Sequence, residues 1–221
     1  MLDRYETVIK GPRSQRWQQA LKLLEGDPVF RSVDVTSLAN TSDDGNIETR
    51  SELIFKSLSS GHKIVLLTIT RLVEVVEEKT LVLIDEPEAH LHPPLLSAFV
   101  RSLSNLLIDR NGVAIIATHS PVVLQEVPRT CAWMLRRTGD ESIVERPECE
   151  TFGENVGILT REVFRLEVTQ TGFHRFLTEA VMEGGTFESL SERFNNELGA
   201  EARAILQALI TTHQSDQTTG L

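Results

Sequence analysis

Two stretches of the chain are apolar without alternation, residues 81–84 and 113–117. Continuous runs of that length suit strands covered on both faces, as in a parallel sheet. Between them Leu95, Leu96, Phe99, Val100, Leu103, Leu106 and Leu107 recur at helical spacing. Pro93 suits the first turn of that helix, and Asp109-Arg110-Asn111-Gly112 closes it near Ile108. Strand, helix and strand in this order predict a right-handed βαβ crossover. Both strands then end at the same edge of the sheet. The first ends on Asp85-Glu86 and the second on Thr118-His119-Ser120-Pro121.

Elsewhere the pattern is mostly helical. Trp17, Ala20, Leu21 and Leu24 predict a helix over 14–24, with Ser14 as a candidate cap and Gly26-Asp27-Pro28 as its stop. Residues 34–50 hold no strong period, and 40–46 read as a polar turn. Residues 47–55 fit a short strand or a helical segment. A broad apolar face formed by Ile64, Leu67, Ile69, Leu72, Val73 and Val76 predicts a well-buried helix over 62–77. Residues 131–135 and 142–145, joined by Arg137-Thr138-Gly139-Asp140, predict a β-hairpin, with Cys131 in the core. From 151 to 181 helices are expected, with Phe164, Leu166, Val168, Phe173, Phe176 and Leu177 as core candidates. Gly184-Gly185 breaks the chain, 187–209 reads as one helix or two split near Gly199, and the tail from Thr211 should fray. The expected organisation is an N-terminal helical and loop region (1–50), an α/β segment (51–150) and a helical C-terminal region (151–221).

Composition narrows the function classes. A hydrophobic share of 40% supports a packed core and excludes wholesale disorder. Aromatics make up only 5%, so aliphatic side chains must do most of the packing. A net charge of −10 argues against a broad DNA-binding face, leaving Arg129, Arg136 and Arg137 as a candidate local basic patch. The two cysteines, Cys131 and Cys149, have no metal-ligand spacing and suit free thiols in a reducing cytoplasm. No signal peptide opens the chain, and its apolar runs are too short to cross a membrane.

The candidate chemistry gathers at the strand ends. Asp85 and Glu86 stand where α/β proteins place ligands. One acid can hold a hydrated Mg²⁺ while the other orients or deprotonates a water. Taken alone, helix-entry chemistry explains the same acids equally well. His119 should reach the same edge. A second candidate is Ser57-Leu58-Ser59-Ser60-Gly61-His62-Lys63, where hydroxyl residues and a glycine precede the 62–77 helix. Ser59 or Ser60 can cap that helix, Gly61 lets a ligand approach the backbone, and Lys63 adds charge in the first turn. Together with the free N–H groups of a helix start these suit a phosphate. Taken alone, an ordinary serine cap is the better account of this stretch.

Three pieces in fixed order, LSSGHK at 58–63, LVLIDEPEAHLH at 81–92 and ATHS at 117–120, resemble the ABC-type ATPases. The likeness is to the soluble branch related to the RecF, SMC and OLD-like proteins, and most of all to bacterial anti-phage defence ATPases. Leu58-Ser59-Ser60-Gly61-His62 looks like the signature motif, with histidine where glutamine is usual. Residues 81–85 look like Walker B, Glu86 like the catalytic glutamate after it, Ala89-His90-Leu91-His92 like the D-loop and His119 like the switch histidine. The pattern G-x-x-x-x-G-K-[ST] does not occur in the chain. The resemblance therefore implies the C-terminal half of a head: an α/β, partial P-loop NTPase fold with a mostly parallel sheet flanked by helices, lacking the Walker A segment, and with a C-terminal helical region.

The activity so implied is ATP hydrolysis with Mg²⁺ as cofactor. Asp85 would hold Mg²⁺ through water, Glu86 would activate the attacking water, and His119 would sense the γ-phosphate. Ser59, Ser60, Gly61 and Lys63 would bind the phosphates of a nucleotide held by a second head. The implied partners are that second head, the missing half with Walker A, and a nuclease or other effector. The competing readings are a head-like interaction module without catalysis, a fragment serving DNA repair or chromosome organisation, and a metal-dependent nuclease using Asp85, Glu86, His90 and His92.

Overall fold

The computed structural model describes residues 13–40, 44–170 and 172–219. It divides into two compact units, the first ending at Leu159 and the second beginning at Thr160. The first unit runs α1 (Ser14–Leu24), α2 (Pro28–Ser32), α3 (Ser37–Asn40), α4 (Asp44–Ser57), α5 (Ser60–Val75), β1 (Leu81–Asp85), α6 (Pro93–Ile108), β2 (Val113–Ala117), α7 (Pro121–Gln125), β3 (Met134–Thr138) and β4 (Glu141–Glu145). Short 3₁₀ turns at Pro87–His90 and Arg129–Cys131 join some of these.

The helices form one apolar layer. α1 buries the four residues its period marked, Trp17, Ala20, Leu21 and Leu24. Its cap position falls on Arg13 rather than Ser14, without a side-chain hydrogen bond. α1 lies along α6, where the buried Ser102 hydroxyl donates to the Ala20 carbonyl at 3.1 Å. It also meets α5, where the Trp17 indole N–H donates to Thr70 Oγ1 at 2.9 Å. The seven α6 positions named from the sequence are all buried. Residues 47–55 are helical, as part of α4. The loop expected over 40–46 lies partly outside the described residues. α5 starts at Ser60 because Ser59 caps it, and its Ile64 faces outward.

β1 and β2 pair in parallel, from Leu81 opposite Val113 to Asp85 opposite Ala117. Pairing runs one residue further, since the Glu86 N–H donates to the Ala117 carbonyl at 2.9 Å. Val82, Ile84, Ala114 and Ile116 pack on the helical core. Leu81, Leu83, Val113 and Ile115 form the other face and are exposed, Leu83 at 70%. Cover on both faces was expected from the unbroken apolar run. Among the described residues only one face has it, and neither outer strand edge pairs with another strand.

β3 and β4 form the expected antiparallel hairpin. Cys131 is exposed rather than core. The stretch leading into β3 alternates, burying Ala132 and Met134 and turning Trp133 and Leu135 outward, so Cys131 falls on the outer side.

α8 (Val156–Gln170) carries the unit boundary, followed by α9 (Phe173–Met182), α10 (Phe187–Arg193) and α11 (Ala200–Thr219). Leu177, Ala180, Val181, Leu190, Leu206 and Ile210 make the core of this second unit. Phe173 and Phe176 face outward, because the apolar stripe of α9 runs through Leu177, Ala180 and Val181 instead. The side chains of Phe164, Leu166 and Val168 lie outside the described part. Positive φ at Gly184 and Gly185 breaks the chain before α10, whose start is held by a reciprocal Thr186–Ser189 capping box. α11 continues as helix past Thr211, where fraying was expected. No described helix is long and apolar enough to cross a membrane.

Candidate active site

The carboxyl edge of the β1–β2 pair brings the acids and the histidine together. Asp85 ends β1 with its carboxylate exposed and without a hydrogen bond among the described residues. Glu86 follows in the left-handed region, at φ 43° and ψ 59°. A non-glycine residue is rarely held there. Two backbone bonds fix it: its own N–H to Ala117, and the Ala89 N–H to its carbonyl at 3.2 Å. The kink aims the side chain across the sheet edge, and Glu86 Oε1 stands 3.3 Å from His119 Nε2. Both side chains are more than half exposed, so a ligand can reach them.

Sequence reasoning missed Glu88. Its Oε1 accepts the Thr118 hydroxyl at 2.8 Å and the His119 N–H at 2.6 Å. Glu88 therefore pins the segment after β2 to the turn after β1 and sets where His119 starts. Thr118 Oγ1 accepts in turn from the Ser120 N–H at 3.0 Å. The only signal in the sequence was a third acid in the DEPE run, and nothing there tells a tether from a ligand.

The serine–glycine stretch docks on the same turn from the other side. Ser59 Oγ accepts the His62 N–H at 3.4 Å and lies 2.6 Å from His62 Nδ1. A Cβ built on Gly61 would sit 2.7 Å from the His90 carbonyl oxygen, so the close approach at this glycine is made by the protein's own backbone. The Lys63 ammonium lies over the Phe55 ring, 5.4 Å from its centroid, and Ser60 is exposed. No hydrogen bond or ion pair links Ser59, Ser60 or Lys63 to Asp85, Glu86 or His119 among the described residues.

Two other groupings do not assemble. Asp85, Glu86, His90 and His92 do not converge on one metal-sized site among the described residues. The candidate basic patch is engaged locally: Arg136 pairs with Glu145 at 2.9 Å, Arg137 Nε donates to the Gly139 carbonyl, and Arg129 donates to the Glu148 carbonyl. As a donor set for Mg²⁺ the edge fits, since Asp85 offers an unengaged hard oxygen ligand at a solvent-open strand end.

A parallel strand–helix–strand unit carries paired acids and a histidine at its carboxyl edge, where α/β proteins bind ligands, and the family match of this segment puts it among ATPase-like α/β domains of the P-loop NTPase type. Residues 9–125 match the family model described as "AAA domain, putative AbiEii toxin, Type IV TA system", and the chain, more than half of which is matched, belongs to that family of AAA domains. AAA domains are nucleotide-binding ATPase-type domains that generally take ATP and Mg²⁺. The chain is also 50% identical over 214 residues to Protein ea59 of Escherichia phage lambda, an alignment spanning 90% of this chain and 41% of that protein. The chain thus covers about two fifths of that relative's length.

Proposed function

We propose that this chain is the signature- and Walker B-bearing part of an ABC-type ATPase head, hydrolysing ATP to ADP and phosphate between two heads. The observation that carries the reading is Glu86, held in a left-handed kink at the strand end with its carboxylate 3.3 Å from His119. Glu86 orients and deprotonates the attacking water, and His119 contacts the γ-phosphate and registers its loss. Asp85 would hold Mg²⁺, which would supply neutralisation of the phosphate charge. Ser59, Ser60 and Gly61 present the start of α5, with its N–H groups, to the nucleotide of the opposite head.

The phosphate-cradling loop comes from further polypeptide. The exposed apolar face of β1–β2 and its open edges support this, since a sheet continued there would be covered. Head dimerisation would control a partner effector such as a nuclease in the cytoplasm, in anti-phage defence. The "Type IV TA system" wording of the family description is in keeping with an effector role.

In the complete protein, Glu86→Gln should cut hydrolysis by roughly 10²–10⁴-fold and trap ATP-bound dimers, read by steady-state turnover and size-exclusion chromatography. Unchanged turnover would remove Glu86 from the chemistry. A second reading, a head-like interaction module without catalysis, is favoured by the missing G-x-x-x-x-G-K-[ST] pattern. Calorimetry with ATP and Mg²⁺ on this chain alone tests it, since micromolar binding would contradict the module reading.

A further inference from the structure

Asp27 is wholly buried, and it faces two imidazoles. Its Oδ1 caps α2, accepting the N–H groups of Val29 at 2.9 Å and Phe30 at 3.2 Å, and lies 3.0 Å from His62 Nε2. Its Oδ2 accepts no hydrogen bond among the described residues, and the nearby donor is His92 Nε2, 3.5 Å away. A buried carboxylate with one oxygen unmet is unfavourable unless a cation faces it.

The geometry points to a site for a first-row divalent cation, best matched by Zn²⁺, bound by Asp27, His62 and His92. One ligand atom from each residue lies within 4.8 Å of the others. Metal–ligand bonds of about 2.0–2.2 Å place neighbouring ligands of a tetrahedron roughly 3.3–3.6 Å apart. Asp27 Oδ1 lies 3.0 Å from His62 Nε2 and Oδ2 3.5 Å from His92 Nε2, so the two imidazoles approach different oxygens of one carboxylate. Seating one ion needs three ligand atoms, now within 4.8 Å of one another, to draw in. Two imidazoles and one carboxylate suit Zn²⁺ and its neighbours, whereas Mg²⁺ prefers oxygen ligands.

The surroundings fit as well. Ser59 Oγ, 2.6 Å from His62 Nδ1, can accept the Nδ1 proton and leave the Nε2 lone pair for the metal. Phe30 stands edge-on to the His62 ring at 5.0 Å and walls the inner side. His92, 47% exposed, gives an entry path and room for a solvent ligand in the fourth position. The ion would fasten the starts of α2, α5 and α6 to one another. The serine–glycine helix start would then be tied to the end of the turn after Glu86. This clamp is separate from the Mg²⁺ position at Asp85 and needs no nucleotide.

The test is titration of the full chain with Co²⁺ and Zn²⁺, followed by ligand-field absorption and by competition. Equimolar binding with a tetrahedral Co²⁺ spectrum is expected. Losing an outer hydrogen-bond partner of a ligand costs about 10- to 100-fold in affinity, which sets the expectation for Ser59→Ala. His92→Ala removes a ligand from an exposed position and should lose more than about 100-fold while far-UV circular dichroism stays unchanged. No equimolar binding to the unaltered chain would overturn the proposal. So would unchanged affinity in His92→Ala, or a thiolate charge-transfer band locating the metal at a cysteine.

Discussion

Gly61 and the His90 carbonyl oxygen meet with no room for a single carbon between them. Because both partners are backbone, neither can swing aside. Gly61→Ala should therefore cost about 1–3 kcal/mol, as overpacking does, measured by urea denaturation of the chain. An unchanged midpoint would mean that α5 and the turn after β1 are not held together as described. At this scale the sequence was readable where a residue's neighbours in the chain announce it. Asp85, Glu86 and His119 stood out as polar residues closing apolar runs. Glu88 and Asp27 did not, because their partners lie on other elements: Glu88 grips His119, and Asp27 grips His62. The His62 side chain illustrates the difference. As a letter it was a departure from a motif, and in the fold it is a buried ring bonded at both nitrogens.

Elements were legible where one period dominates. α1 and α6 follow their apolar stripes, and each strand ends where its run ends. Boundaries moved where capping intervened, as at Ser59, and 47–55 became helix once extended by α4's earlier residues. Another capping acid governs the segment after β4. Glu150 accepts the N–H groups of Arg129, Thr151 and Phe152 through one oxygen. Those bonds, led by Arg129, hold its carboxyl below its ordinary value of 4.5. A carboxyl lowered in the folded state binds more protons when unfolded, so its stabilisation is present above about pH 4.5. It is lost as pH falls through the folded value. Glu150→Gln should lower the thermal midpoint at neutral pH, and the gap from the unaltered chain should close in acid. A gap independent of pH would show that the carboxylate charge is not what holds these N–H groups.

Among the described residues the molecule is helix-rich, with a two-stranded parallel sheet where the unbroken apolar runs called for cover on both faces. The unbroken apolar runs predict cover on both faces, and among the described residues only one face has it. Which face is covered is a property of packing partners and not of local pattern. Four large aliphatic side chains on one small face form the kind of apolar patch that drives association. Replacing Leu83 and Ile115 together by Lys should change the unfolding free energy by no more than about 1 kcal/mol, since both already face outward. It should also raise the monomer fraction in sedimentation velocity. A collapse in stability would place those side chains in a packed core.

An unpaired strand flank exposes amides and carbonyls on which another extended segment can build. A concentrated stock of this polypeptide would accordingly age by copies adding strand to strand. A short apolar peptide able to occupy the flank would slow that ageing and prolong shelf life.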